Sequence, residues 1–310
     1  MDGVSMILTV AGLALFEIVI SIDNAIINAE VLATMSPKGR RWFLLWGILI
    51  AVFLVRGLLP WLILWVSIPS LGFLGSFTAS FSSDPAVVKA IQESAPILLV
   101  GGGTFLVFLF FHWLFLEPKH YGLRGERFIE SQGVWFFAVA SLLLVVIVWL
   151  AIKVNPLMAL GAVIGSSAFF ISHGFKENAE QTEKRMIEGT SKLSDISKIF
   201  YLEVIDMSFS IDGVLGAFAF TFVIPLILVG NGIGAIVVRQ LTVANIDKVK
   251  RYKYLKNGAM YSIFALGSVM IGHAFGLHIP DWISPVATFC IIAYFFWKSL
   301  KALKEDHPSS

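Results

Sequence analysis

Charge is what this sequence has least of. Only 14% of its 310 residues are Asp, Glu, Lys or Arg, against about 25% in a soluble domain, and mean hydropathy is +0.82. There is one cysteine, Cys290, which excludes an internal disulfide framework and a cysteine-based metal cluster within the chain. The opening "MDGVSMILTV" has no basic n-region, so the first apolar segment is expected to be a retained helix and not a cleaved signal. No G-x-x-x-x-G-K-[ST], H-E-x-x-H or G-x-S-x-G occurs, which removes a phosphate-loop ATPase and the common hydrolase plans. The chain is therefore expected not to be an enzyme and to need no resident cofactor. Its net charge of +2 points to no nucleic-acid partner.

What is present is a series of long apolar runs with the charges clustered between them. At roughly 20 apolar residues per span, the pattern predicts an all-α polytopic bundle of about nine transmembrane helices, near 4–30, 42–67, 97–116, 133–152, 156–173, 199–220, 222–238, 258–277 and 281–300. A short turn near Pro225 separates the sixth from the seventh. The segment 69–96 reads as a long loop in which Ser83-Asp84-Pro85 starts a short helix. The segment 174–198 reads as a solvated cytoplasmic helix, with Glu180/Lys184 and Glu188/Lys192 at i,i+4 spacing.

Nine spans divide the basic residues unevenly. Segments 35–41, 117–132, 174–198, 239–257 and 298–310 hold 20 of the 23; the opposite side has Lys89 and Lys153, and Arg56 lies inside the second span. Positive charge stays in the cytoplasm, so the N-terminus is expected outside and the C-terminus inside a bilayer, most naturally a bacterial inner membrane. Tryptophans 42, 46, 61, 65, 113, 135, 149, 282 and 297 mostly fall near span ends, as an interfacial belt requires.

Two apolar spans carry acids in the same frame. Glu17-Ile-Val-Ile-Ser21-Ile-Asp23-Asn24 overlays Asp206-Met-Ser-Phe-Ser210-Ile-Asp212-Gly213. By the expected topology the first runs inward and the second outward. That is an inverted repeat, which in transporters places the substrate site at the repeat interface. It divides the single transmembrane domain, 1–310, into a first half (1–116), connecting spans and a charged loop (117–198), and a second half with the last span (199–300).

At about 100° per residue, Glu17, Ser21 and Asn24 share a stripe, whereas Asp23 lies roughly 120° from Glu17; Asp206, Ser210, Gly213 and Asp212 repeat the offset. Either the helices unwind near Ile22 and Ile211, or the acids face different neighbours. Intramembrane acids are costly and mark functional sites, although they also serve to glue helices together, here with Arg56 as a counter-ion. Carboxylate, hydroxyl and amide oxygens form a hard donor set suited to Mg²⁺, Mn²⁺ or Ca²⁺. Protons compete for clustered carboxylates, so a cation/proton exchanger follows as a mechanism.

At these residues the sequence resembles the TerC family of integral membrane proteins, within the LysE-type transporter superfamily. The family's first motif, a glutamate followed by Ser-x-Asp-Asn, is matched by Glu17, Ser21, Asp23 and Asn24. Its later motif is matched by Glu203, Asp206, Phe209, Ser210 and Asp212. The likeness continues through Asn231 and Arg239 of "VGNGIGAIVVRQL" and Tyr254–Ile263; Gly213 departs, standing where many members have serine. The resemblance implies metal-ion homeostasis, with Mn²⁺ efflux and tellurium-compound resistance as its associations. The expected metal site is Glu17, Asp23, Asp206, Asp212, Ser21, Asn24 and Ser210, with Arg56, Glu203, Asn231 and Arg239 as accessory or gating residues. The alternative is a non-transporting scaffold or metal sensor in a metal- or tellurite-stress complex. His112, His173 and His273 show no metal spacing and read as polar packing groups. The expected partners are the bilayer, metal ions and protons; the oligomeric state is not encoded in any of these patterns.

Overall fold

The computed structural model describes residues 3–22, 25, 29, 31–32, 35–47, 50, 56–79, 85–187, 194–244 and 251–306. Among them the architecture is all α. In chain order the helices are α1 (Gly3–Ile20), α2 (Pro37–Trp42), α3 (Arg56–Ser67), α4 (Gly72–Ala79), α5 (Pro85–Leu116), α6 (Glu126–Ser131), α7 (Phe136–Val154), α8 (Pro156–Ile187), α9 (Asp195–Ala217), α10 (Ile224–Ala244), α11 (Leu255–Ala274) and α12 (Ile283–Asp306). A π-helical turn, Phe43–Gly47, follows α2.

Among the described residues, five stretches are long and apolar enough to cross a bilayer: Gly3–Ile20, Glu93–Leu116, Gly133–Val154, Pro156–Phe175 and Ile283–Glu305. The other four expected spans fall on helices that are broken, shorter or more polar. The 42–67 run contains the π turn and the separate helix α3. The α10 apolar stretch is Ile224–Val238. Helices α9 and α11 have 23 and 20 residues, about 30 Å or more at 1.5 Å per residue, but they carry acids, amides and hydroxyls.

The segment 69–96 differs from its sequence reading. The expected loop 69–96 holds a 3₁₀ turn (Pro69–Leu71), α4 and the first turns of α5. Pro85 does open a helix, but that helix runs 32 residues to Leu116, with Pro96 inside it; Ser83 and Asp84 lie outside the described residues. Proline is accepted at the first helical position because its missing N–H has no intrahelical partner there. Helix α8 continues past the membrane-length stretch to Ile187, so Glu180 and Lys184 are helical as expected; Glu188 and Lys192 lie outside the described residues. Local capping sets the starts of α2 and α9. Ser36 Oγ accepts the Gly39 N–H at 3.2 Å, and Ser194 Oγ accepts the Ser197 N–H at 3.3 Å.

Helix α5 is the central post, packed between α8 and α11. Its glycine run makes this possible. A Cβ on Gly101 would stand 2.8 Å from the Gly161 carbonyl oxygen of α8, and one on Gly103 2.9 Å from the Gly267 carbonyl oxygen of α11. With no hydrophobic drive between helices in lipid, such close backbone approach is what holds them. Aromatic rings fill the rest: Phe105, Phe108, Phe136 and Phe169 are each 1% exposed. Trp113 is fully buried and belongs to this core, not to the interfacial belt. Trp42, Trp46, Trp65, Trp135, Trp149, Trp282 and Trp297 are exposed.

Helix directions around α1 follow from its neighbours. Cβ atoms on Gly230 and Gly234 would touch Leu13 and Glu17 respectively; the numbers rise together, so α1 and α10 run parallel. Gly12 meets Phe220, Phe16 meets Gly216, and Glu17 meets Gly213; the numbers run oppositely, so α1 and α9 are antiparallel.

Candidate functional site

Glu17 is 1% exposed, deep on α1. Its Oε1 accepts a hydrogen bond from Ser21 Oγ, one turn on, at 2.7 Å. Two glycines keep room around it. A Cβ on Gly213 of α9 would stand 3.1 Å from Glu17 Oε2, and a Cβ on Gly234 of α10 would stand 2.6 Å from Glu17 Cβ. Serine at position 213 would crowd that carboxylate. Glycine here widens the cradle at the cost of one hydroxyl oxygen.

Asp212 precedes Gly213 and is 4% exposed. The structure thus brings Glu17 level with the Asp212–Gly213 step. Helix α9 is unbroken from Asp195 to Ala217, so of the two alternatives the unwinding near Ile211 is absent. A regular helix through this point keeps every backbone donor and acceptor bonded where no water can replace a lost partner. In the first motif, regular helix α1 ends at Ile20 and Ser21 forms a turn. Even so, Ser21 N–H donates to Glu17 O at 3.1 Å and Ala25 N–H to Ser21 O at 2.9 Å, so helical spacing persists across the serine. Asp23 and Asn24 lie outside the described residues. Asp206 and Ser210 are on α9 by their backbone, and their side chains lie outside the described set.

Asn231 is 1% exposed, and neither its Oδ1 nor its Nδ2 has a hydrogen-bond partner among the described residues. On α10, Gly230 and Gly234 face α1, while Ile224 and Leu228 pack with Ile68 and Ala79 towards α3 and α4. At about 100° per residue Asn231 points between those two directions. It faces the space between α1 and α3 that α9 closes by packing on both. A buried amide left in this state costs about 1–3 kcal/mol, so it needs an explanation beyond packing.

Glu203 occupies a different level. It lies nine residues before Asp212 on α9, about 13 Å along the axis. A Cβ on Gly47 of the π-helical turn would collide with Glu203 Oε1, and both carboxylate oxygens are shielded from solvent. Glu203 is therefore not a solvated edge residue. Arg56 begins α3 and Arg239 lies on α10; their side chains lie outside the described set. Among the described residues, no three His, Cys, Asp or Glu side chains are grouped to hold a metal ion.

Sequence spacing missed two polar assemblies at the other end of α5. His112 and His173 meet across α5 and α8 with ring centroids 3.8 Å apart, although neither has a sequence neighbour that would pair them. His112 Nδ1 is 3.4 Å from Glu117 Oε1, and Lys256 Nζ is 3.0 Å from Glu117 Oε2. Burial pushes the Glu117 carboxyl upward, but the His112 ring and the Lys256 ammonium outweigh it and hold the group well below its ordinary 4.5. Glu126, 1% exposed, accepts from the Gly122 N–H at 2.6 Å, from Asn257 Nδ2 at 3.2 Å and from Tyr261 Oη at 3.0 Å. Lys298 donates to the Gly122 carbonyl, tying the same loop to α12. The signal available in the sequence was Asn257 and Tyr261 on one face of an apolar helix, four residues apart.

A family profile described as a protein of unknown function, DUF475, matches residues 22–306. The chain belongs to the DUF475 family. The match takes in the second motif and the later helices of this DUF475 chain, whereas Glu17 and Ser21 precede it. No curated protein and no solved structure is significantly similar to it.

Proposed function

We propose that this chain is a secondary transporter that exports a divalent cation, Mn²⁺ by its resemblance to the TerC family, in exchange for protons. One observation carries the reading. The Glu17 carboxylate sits buried in a cradle kept open by Gly213 and Gly234, with Asp212 buried one residue before Gly213 on α9 and an Asn231 amide that has no partner among the described residues. Carboxylate, amide and hydroxyl oxygens suit a hard divalent ion. Arrival of the cation releases protons from the acids, and its departure lets them rebind. The proposed orientation, N-terminus outside and C-terminus cytoplasmic in a bacterial inner membrane, rests on the distribution of lysine and arginine.

The inverted repeat adds a geometric requirement. It exchanges Glu17 with Asp206 and Asp23 with Asp212. Glu17 approaches the Asp212–Gly213 step, so a two-fold axis demands that Asp23 approach Asp206. Those approaches lie six residues apart on α9, about 9 Å. We infer from the repeat read in the sequence that the four acids would sort into two pairs along the α1–α9 seam instead of one four-carboxylate site, the roughly 120° offset distributing them.

The test is reconstitution of the purified protein in vesicles, following Mn²⁺ and proton movement under each gradient. Wild type is expected to move both, and Glu17→Gln and Asp206→Asn neither. No flux from folded, correctly inserted wild type would overturn the transporter reading; metal-dependent stabilisation without flux would establish the scaffold or sensor instead.

A further inference from the structure

The loop between α5 and α7 carries an apolar groove and two exposed arginines. The groove, about 390 Å³, is lined by Phe115, Phe128, Ile129, Gln132, Trp135 and Val139. It lies at the first turns of the apolar stretch Gly133–Val154, which is the headgroup level if that stretch spans the bilayer. The surface around it is apolar and open: Phe128 is 70% exposed, Val134 92% and Trp135 61%.

The acids of the loop are engaged, as is Lys119, whose side chain is 1% exposed, whereas its two arginines are exposed. Its three acids turn inward and are engaged: Glu117 by Lys256, Glu126 by Asn257, Tyr261 and the Gly122 N–H, and Glu130 by Lys119 at 3.8 Å. Arg124 and Arg127 are exposed, and neither makes a hydrogen bond or ion pair among the described residues. Gly125, at φ +100°, turns the chain between them into α6, the helix that carries Phe128 and Ile129 into the groove. Two exposed arginines, within four residues in the chain of groove-lining Phe128, complement a ligand with an anionic head and a hydrocarbon tail. Guanidinium binds phosphate oxygens in a fixed fork, and anionic lipid attracts basic side chains next to a membrane span.

We propose that this groove binds one anionic phospholipid, with an acyl chain along Phe115, Phe128, Trp135 and Val139 and the headgroup phosphate held by Arg124 and Arg127. The site rests on the membrane reading alone and is independent of what the protein transports.

The experiment is native mass spectrometry of the full chain released from detergent micelles, with palmitoyl-oleoyl phosphatidylglycerol or the phosphatidylcholine of the same chains added. Wild type is expected to retain one phosphatidylglycerol in preference to phosphatidylcholine. The Arg124→Gln/Arg127→Gln variant is expected to lose about 30-fold in affinity for the anionic lipid while leaving phosphatidylcholine binding and the melting temperature unchanged. Val139→Trp fills the groove and is expected to lower retention of both. Equal retention of the two lipids by wild type, an arginine variant that binds phosphatidylglycerol as wild type does, or a Val139→Trp protein with undiminished retention would each overturn the proposal. So would cross-linking that finds a second copy of the chain seated on this face.

Discussion

Gly234→Ala is expected to separate α1 from α10 and weaken the fold at the Glu17 cradle. A Cβ at this position would stand 2.6 Å from Glu17 Cβ and 2.8 Å from the Ala14 carbonyl oxygen. Non-bonded carbons rest about 3.5–4.0 Å apart, so the two helices must part by about 1 Å. Neither obstacle rotates away, since one is backbone and the other the first side-chain carbon. Overpacking of this kind costs about 1–3 kcal/mol, and alanine's higher helix propensity offsets about 1 kcal/mol of it. A net loss of about 0–2 kcal/mol is expected in equilibrium unfolding of the protein in mixed micelles. Gly174→Ala on α8 is the control: among the described residues no atom lies within 4 Å of its Cβ, so only the propensity gain of up to about 1 kcal/mol remains. Gly213→Ala falls between them, because the one neighbour among the described residues, Glu17 Oε2 at 3.1 Å, is the end of a rotatable side chain. If Gly234→Ala proved as stable as Gly174→Ala, the close α1–α10 seam would be refuted.

Glu126→Ala strands the Gly122 N–H, Asn257 and Tyr261 donors in a buried site; a loss of about 3 kcal/mol or more is expected in the same unfolding measurement, and Glu126→Gln should lose less because one acceptor oxygen remains. The Glu117 carboxyl is depressed in the folded state, so its contribution is present above the ordinary value of 4.5 and fades as pH falls through the lower folded value; Glu117→Gln should lower stability at neutral pH and flatten the stability–pH curve below about pH 5. Asn231→Leu removes a buried amide with no partner among the described residues, so the metal-free protein should gain about 1 kcal/mol or lose nothing, while Mn²⁺-dependent stabilisation falls; an equal loss in both states would assign Asn231 to packing. On a Cys290→Ser background, Asp23→Cys/Asp206→Cys is expected to cross-link and Glu17→Cys/Asp206→Cys is not; the reverse pattern would sink the stacked-pair arrangement.

Helix positions and polarity were legible because each apolar run had to be long enough, and each polar residue within it stood out. Glu17, Asp212 and Asn231 were all visible that way, and all three are buried. The turn before Pro225 was visible as well, with α9 ending at Ala217 and α10 starting at Ile224. Proline and glycine punctuation was less dependable. Ser83-Asp84-Pro85 suggested a short helix inside a loop, yet α5 runs from Pro85 through Pro96 to Leu116, because packing against α8 and α11 stabilises a helix that local residue choice would have ended. Trp113 was read as an interfacial anchor and is a core residue, since indole at a span end looks the same in sequence whether it faces lipid or another helix.

By itself, then, the sequence determined that the chain is helical and apolar, which acids are placed where water is scarce, and that they recur in one frame, because composition and periodicity act along a single helix. Only the tertiary structure decided which helices meet. It set Glu17 against Gly213 and Gly234, brought His112 to His173, and turned the acids of the 117–130 loop inward while leaving Arg124 and Arg127 outside. Those are distances between residues far apart in the chain, fixed by the close approach of glycine-bearing helices, and no one-dimensional pattern carries them.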